Sequence, residues 1–197
     1  MKNKTEFSLL KNHLEGVVHF SNEEFDSLTA LMQSTFFRKK EFVFTIGNIC
    51  KYVGFVNKGC LRYFSTDAQG DEHILYFAFE EWWIGDLESF YSNEPTQNSL
   101  QAVEDCELFL MNLASFEKAR EEIQPFNQYV TLRHRKGYTA TQQRLLDARS
   151  ENAEEKYLKL LEKSPGVFQR VPQRYIASYL GIKPESLSRI RKKLSGK

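Results

Sequence analysis

The segment Val171-Pro-Gln-Arg-Tyr-Ile-Ala-Ser-Tyr-Leu-Gly-Ile-Lys-Pro-Glu-Ser-Leu-Ser-Arg-Ile-Arg-Lys-Lys-Leu194 constrains this chain more than any other part of it. It reads as two short amphipathic helices parted by Gly181. Ile176 and Leu180 lie one turn apart and share a face of the first helix. Ala177 is small enough for close approach to a partner helix. Gly181 stands where a left-handed backbone ends a helix at least steric cost, and Ile182 plugs the corner. Pro184 fits a helix only in its first turn, so a second helix starts there. Leu187, Ile190 and Leu194 then recur at three- and four-residue steps and face back. The outer face carries Glu185, Ser186, Ser188, Arg189, Lys192 and Lys193. The plain alternative is a helical hairpin with a solvated face. The agreement of so many positions favours a helix-turn-helix whose second helix enters a major groove of double-stranded DNA.

Charge divides the same way. The chain is formally +1, but from Gly166 to the end eight Lys/Arg stand against one acid, whereas residues 1–150 hold sixteen Lys/Arg against twenty-one acids. A basic module on an acidic body fits binding of a polyanion by the module alone. No apolar run approaches the roughly 18 residues that span a bilayer. The start Met-Lys-Asn-Lys-Thr-Glu has no apolar stretch behind it, so neither a signal peptide nor a membrane partner is expected and the chain reads as cytoplasmic. Cys50, Cys60 and Cys106 form no Cys-x-x-Cys pair and read as reduced, buried thiols. With His13, His19, His73 and His134 showing no ligand spacing, no metal and no cofactor is expected.

The body of the chain changes period twice. Phe7, Leu10 and Leu14 give one helical face. Ser21 followed by Glu24 is a capping box that opens a helix with Phe25, Leu28 and Met32 on its stripe. From about Glu41 the period becomes two: residues 42–44 and 52–56, a hairpin turn at Asn57-Lys-Gly59, a return over 60–65, a turn at 66–70, and a strand over 72–79. Residues 99–102 and 106–111 read as another pair. Short strands with turns at this spacing indicate an antiparallel sandwich or jelly-roll barrel. After Asn112 a short helix around 116–123 precedes Pro125, and a long one runs from about 126 to 149. Tyr129, Val130, Arg133, Tyr138, Thr141, Leu145 and Ala148 are roughly heptad-spaced on it, which suits dimerisation, with packing on its own barrel as the alternative. Ser150-Glu-Asn152 reads as a hinge, and residues 153–163 as a further helix.

The order of helix, barrel, long helix, hinge and helix-turn-helix, with the closing Gln-Arg-Tyr-Ile-Ala-Ser-Tyr-Leu-Gly-Ile motif, resembles the cyclic-AMP receptor protein / FNR (Crp/Fnr) superfamily of bacterial transcription regulators. The resemblance implies an α+β fold: an N-terminal cyclic-nucleotide-binding-like barrel (1–124), a dimerisation helix (125–150) and a helix-turn-helix, winged-helix-like DNA-binding domain (151–197). It also implies a homodimer and a contact with RNA polymerase. The family's cyclic-nucleotide cassette opens on Gly-Glu-Leu, whose glutamate takes the ribose, and continues to an Arg-Ser pair that neutralises the phosphate. Here Gly85, Asp86 and Leu87 match the start, but the pair falls on Thr96 and Gln97, so the cation is missing. A buried phosphate without a cation is unfavourable. The residues that reach the base in the family fall near Thr141 and Gln142. Trp82, Trp83, Phe90 and Tyr91 surround the cassette and either fill it or shape it for an uncharged apolar effector. A rebuilt phosphate site would need Arg62, Arg133 or Arg135. No cysteine precedes Cys50, which sets the chain apart from the family's oxygen-sensing branch.

On this reading Glu185, Ser186 and Arg189 face base edges or nearby phosphates, Arg189 being able to pair with a guanine and Glu185 to accept from a cytosine. Lys183, Arg191, Lys192 and Lys193, with Gln173 and Arg174, are expected on phosphates. The rival from another class is a cupin-like enzyme. It needs clustered His and Glu on strands, and only His73 lies on one, so no enzymatic activity is expected.

Overall fold

The computed structural model describes residues 7–150 and 152–195, and the side chains of these apart from residues 144–150, 163 and 195. Two helices come first, α1 (Ser8–Glu15) and α2 (Asn22–Ala30). Phe7, Leu10 and Leu14 are buried, as their spacing predicts. The capping box forms: Ser21 Oγ accepts from Glu24 N–H while Glu24 accepts from Ser21 N–H.

Eight strands follow: β1 (Gln33–Phe37), β2 (Phe42–Phe44), β3 (Tyr52–Lys58), β4 (Leu61–Thr66), β5 (Glu72–Ala78), β6 (Trp83–Ile84), β7 (Asn98–Ala102) and β8 (Cys106–Asn112). A helix, α3 (Leu87–Ser92), lies between β6 and β7. The strands form two antiparallel four-stranded sheets, ordered β1-β8-β3-β6 and β2-β7-β4-β5. Helices α1 and α2 share the core of the first sheet through Leu10, Leu14, Leu28, Phe55 and Phe109.

The topology corrects two local pairings. β3 and β4 flank Asn57-Lys-Gly59 but lie in different sheets, so this turn is a corner and not a hairpin. β7 and β8 are parted in the same way. The two corners pack on each other: Val103 N–H donates to the Cys60 carbonyl at 2.8 Å, and Cys106 Sγ lies 3.4 Å from the same oxygen. Alternation along a strand specifies its faces but not its partner. Only β4 and β5 make the expected hairpin, with Leu61 opposite Ala78. The three cysteines are buried and free, and burial pushes all three thiols up, Cys106 to about 11.

Beyond the barrel come α4 (Leu113–Glu122) and α5 (Gln124–Ser150). α5 takes Pro125 into its first turn, where a missing N–H is harmless. Near its start the packing alternative holds. Phe126, Tyr129 and Val130 bury against the barrel, whereas farther along Tyr138 is 68% exposed. Leu145 and Ala148 lie outside the described side chains. Of the expected hinge, Glu151 lies outside the described residues; Asn152 caps the next helix in a second capping box with Glu155.

The last part is all helical among the described residues: α6 (Ala153–Lys163), α7 (Val167–Arg170), α8 (Gln173–Leu180) and α9 (Pro184–Ser195). Gly181 is left-handed at φ 69°, and Ile176, Ala177, Leu180 and Leu187 are buried where α8 meets α9. These helices share one apolar cluster with the outer face of the second sheet, where Cys60, Phe64, Ile74, Phe77 and Val103 meet Tyr157, Val167, Val171 and Ile176. That seam also closes a sheet edge. β5 is an edge strand, and Ser178 on α8 accepts from Ile74 N–H at 3.1 Å and donates to the Glu72 carbonyl at 2.6 Å, in place of a ninth strand.

Candidate nucleic-acid interface and altered ligand cassette

α9 presents its polar side outward. Lys183, Glu185, Arg189, Lys192 and Lys193 are exposed, and Ser186 is half-buried. Arg189 donates to Ser186 Oγ at 3.2 Å, so these two base-facing candidates sit together. Several of the expected phosphate contacts have partners within the fold. Lys193 Nζ donates to Glu154 at 2.7 Å, and the Arg191 guanidinium lies 5.8 Å from the Phe168 ring centre. Both brace α9 on its neighbours. At the start of α8, Gln173 and Arg174 are exposed, and Arg174 lies over the Tyr175 ring at 4.8 Å.

The cassette is rebuilt around Asp86. This residue caps α3, accepting from Ser89 N–H at 3.3 Å. It accepts from the Tyr63 hydroxyl at 3.0 Å and closely from the Thr96 hydroxyl. Asn98 N–H in turn donates to Thr96 Oγ1 at 3.1 Å. Burial pushes the Asp86 carboxyl up, but the hydrogen bonds from Thr96, Ser89, Tyr63 and Asn98 outweigh it and hold the group below the usual range. Tyr63 is driven the other way, first by burial and then by the Asp86 charge, so its hydroxyl stays a donor. The carboxylate that would meet a ribose and the hydroxyl at the phosphate position are bonded to each other.

The remaining cassette residues divide. Gly85, Leu87 and Thr141 line a groove between the barrel and α5. Gln97 and Gln142 are exposed and line no part of that groove. Of the aromatics read as filling, Phe90 is buried, while Trp82 and Tyr91 are partly exposed and Trp83 lines the groove. A different set stacks behind Asp86: Tyr63 on Tyr76 at 4.8 Å and Tyr76 on Trp82 at 6.0 Å.

Arg62 serves neither site. It is buried, bonded through both terminal nitrogens to Glu72 and through Nε to Gln101 at 2.8 Å. Its guanidinium lies 4.1 Å from the ring centres of both Phe64 and Tyr175, pinning α8 to the barrel. Arg170 adds a second pin: Nη1 and Nη2 reach Glu80 at 2.9 and 2.7 Å, and Nε reaches Glu104 at 3.0 Å. Arg62 was legible as a cation but not as this anchor. Ser178 and Arg170 carried no sequence signal, because their partners lie 66 to 106 positions away.

Residues 34–122, from β1 to the end of α4, match the cyclic nucleotide-binding domain family. None of the curated proteins matches the chain. Solved structures resemble it over most of its length. FixK2 from Bradyrhizobium japonicum is 21% identical with a TM-score of 0.66, over 84% of this chain and 85% of that one. The Thermus thermophilus catabolite activator protein is 23% identical with a TM-score of 0.56, over 93% and 87%. The c-di-GMP responsive global regulator CLP of Xanthomonas campestris is 15% identical with a TM-score of 0.69, over 89% and 92%. Residues 34–122 thus lie in a cyclic nucleotide-binding-like jelly roll, and the described residues after it are mainly helical. The chain's fold is like that of these three solved structures. No described helix is long and apolar enough to cross a membrane.

Proposed function

We propose that this protein is a homodimeric, sequence-specific DNA-binding transcription regulator of the Crp/Fnr type that does not take cyclic AMP through the family's cassette. The observation that carries the reading is the exposed basic face of α9, held at helix-turn-helix geometry behind a cyclic nucleotide-binding domain. The exposed part of α5 beyond Arg133 is the proposed dimer surface. Effector domain, dimerisation helix and DNA-binding domain are then 1–124, 125–150 and 151–197, although an apolar core joins the first to the last. The regulator is non-enzymatic and cytoplasmic, with RNA polymerase as a partner.

Selection of bound sequences from a random duplex pool tests the DNA reading. The expected product is a near-palindrome with half-sites about 34 Å apart. Arg189→Ala should weaken binding to that sequence by about 1–3 kcal/mol and relax preference at one base pair of each half-site. Lys183→Ala should weaken all sequences alike and lower the salt slope by about one. Equal loss on every sequence for Arg189→Ala would remove it from base reading, and a pool that yields no consensus would sink sequence-specific binding.

The cassette is tested by thermal shift with cyclic AMP and cyclic GMP to millimolar concentration. A ligand at a hundred times its Kd stabilises by about 2.7 kcal/mol, which is easily read. No shift is expected, because Asp86 and Thr96 satisfy each other and no described arginine is hydrogen-bonded to either. A saturable shift would restore the alternative, a cyclic-nucleotide-responsive regulator with a rebuilt phosphate site.

A further inference from the structure

His13 joins three elements that are distant in sequence: α1, which carries it, the turn between β5 and β6, and the first turns of α5. Its Nδ1 lies 3.3 Å from a carboxylate oxygen of Glu81, and its Nε2 lies 2.8 Å from the Tyr129 hydroxyl. The ring rests against Phe55 of β3 at 5.3 Å and meets the Tyr129 ring edge-on at 5.9 Å. The imidazole side chain is 14% exposed and that of Glu81 54% exposed, so the Glu81 side of the ring borders solvent. Glu81 itself holds a left-handed backbone at φ 68°, and its N–H donates to the Val56 carbonyl at 3.0 Å, which ties the turn to β3.

One tautomer serves both partners. With its proton on Nδ1 the ring donates to Glu81, and Nε2 accepts from the Tyr129 hydroxyl. Tyr129 is buried, and burial pushes its hydroxyl up to about 12, so it stays a donor. The Trp83 indole, buried against Tyr129 with ring centres 6.1 Å apart, brings that hydroxyl a second donor and no acceptor. Protonation of His13 turns Nε2 into a donor as well. The hydroxyl must then accept, and its own proton loses its partner in a buried site, which is unfavourable. Burial first, and the Arg133 charge with it, hold the imidazole below the usual histidine range; the pull of Glu81 opposes them without prevailing. His134, beside Arg133 on α5, is also pushed down, by burial and by Arg120 and Arg133.

We infer that Glu81, His13 and Tyr129 form a proton-gated clamp on the first turns of α5, closed while the imidazole is neutral and released when it takes a proton. A histidine lowered in the folded state contributes its stability in full above the ordinary value of 6.5 and loses it as pH falls from there through the lowered value. Glu81 and Arg133 set the threshold from opposite sides, the carboxylate favouring the charged ring and the guanidinium opposing it. The dimer surface proposed above lies farther along α5, so the clamp governs how firmly that helix is seated on the barrel. The contacts lie within one chain, and the test uses neither DNA nor a ligand, so its failure is separate from any failure of the regulator reading.

The full-length protein is followed from about pH 7.5 to about pH 5.5, a range that brackets the ordinary histidine value. Amide hydrogen exchange over residues 129–133, expressed as protection factors so that the intrinsic pH dependence cancels, reports the seating of α5. Protection there should fall roughly threefold or more across the range, while that of Leu100, inside the second sheet, should hold. His13→Gln keeps a donor and an acceptor but takes no proton, and should flatten the response. The magnetic resonance signal of the His13 ring gives the midpoint directly. Glu81→Gln should move that midpoint to lower pH and Arg133→Gln to higher pH, and the exchange response should move with it; a merely structural contact would move neither. Circular dichroism at neutral pH checks the fold of each variant, and if His13→Gln does not fold, the two midpoint shifts decide alone. A flat response in the parent protein overturns the clamp. So does an equal response in His13→Gln, which would pass the effect to His134 or another group, and so do midpoint shifts that are absent or of the same sign.

Discussion

Replacing Gly59 by alanine should destabilise the protein by about 4 kcal/mol, lowering its Tm by roughly 8–16 °C. Two effects add. Gly59 has φ 103°, a left-handed conformation that side chains rarely adopt. A Cβ there would also lie 2.6 Å from Cys106 Sγ, 2.7 Å from the Asp105 carbonyl oxygen and 2.9 Å from Cys106 Cα. Two of these atoms belong to backbone at the opposing corner and cannot step aside. This is where β3 passes to one sheet, β4 to the other, and the β7–β8 corner rests on both. Gly47→Ala separates the effects: its φ is 83°, but a Cβ would meet nothing within 4 Å. It should lose only about 1 kcal/mol of conformational preference. Thermal unfolding of the two variants side by side decides the matter. Similar losses would mean that the corners do not press together.

That corner also shows what could be read from the sequence and what could not. Glycine at Asn57-Lys-Gly59 marks a turn, and period-two alternation on either side marks strands. Both are local properties, and both hold. Whether the second strand folds back on the first or crosses to another sheet depends on residues near 105, which the local pattern does not contain. β6 has two residues, too few to show a period, and β1 alternates weakly because its exposed Phe36 and half-buried Phe37 break the contrast. The helix-turn-helix was legible nearly residue by residue, since its constraints lie within one 24-residue segment. The cassette was half legible. The missing cation at Thr96 is a statement about residue type. The bond from Thr96 to Asp86 that replaces it is a statement about distance, as is the engagement of Arg62.

The seam between the barrel and the C-terminal helices should open on charge reversal at Arg170. This guanidinium bridges Glu80 and Glu104, and all three side chains are about a third exposed. Solvent screening limits each pair. Arg170→Glu nevertheless removes both attractions and sets three carboxylates together, an effect of about 2 kcal/mol on the docked arrangement. The reporter is the Ile74 amide, bonded across the seam to Ser178. Its hydrogen-exchange protection factor should fall roughly thirtyfold, while that of Phe55, inside the other sheet, should hold. The sign with pH is diagnostic. Burial pushes the Glu80 carboxyl up, but the Arg170 hydrogen bonds and the Gly59 N–H outweigh it, so its pKa is lowered in the folded protein. The stability it contributes is present above the ordinary carboxylate range of about 4.3 and is lost as pH falls through the lowered value. In Arg170→Glu the clustered carboxylates repel and their pKa values rise, so acidification should tighten the seam instead. An unchanged protection factor at Ile74, or the same pH sign in both proteins, would mean that the apolar cluster alone holds the helices to the barrel. Inversion of the sign would establish the triad as an electrostatic latch between the barrel and the helices that carry α8.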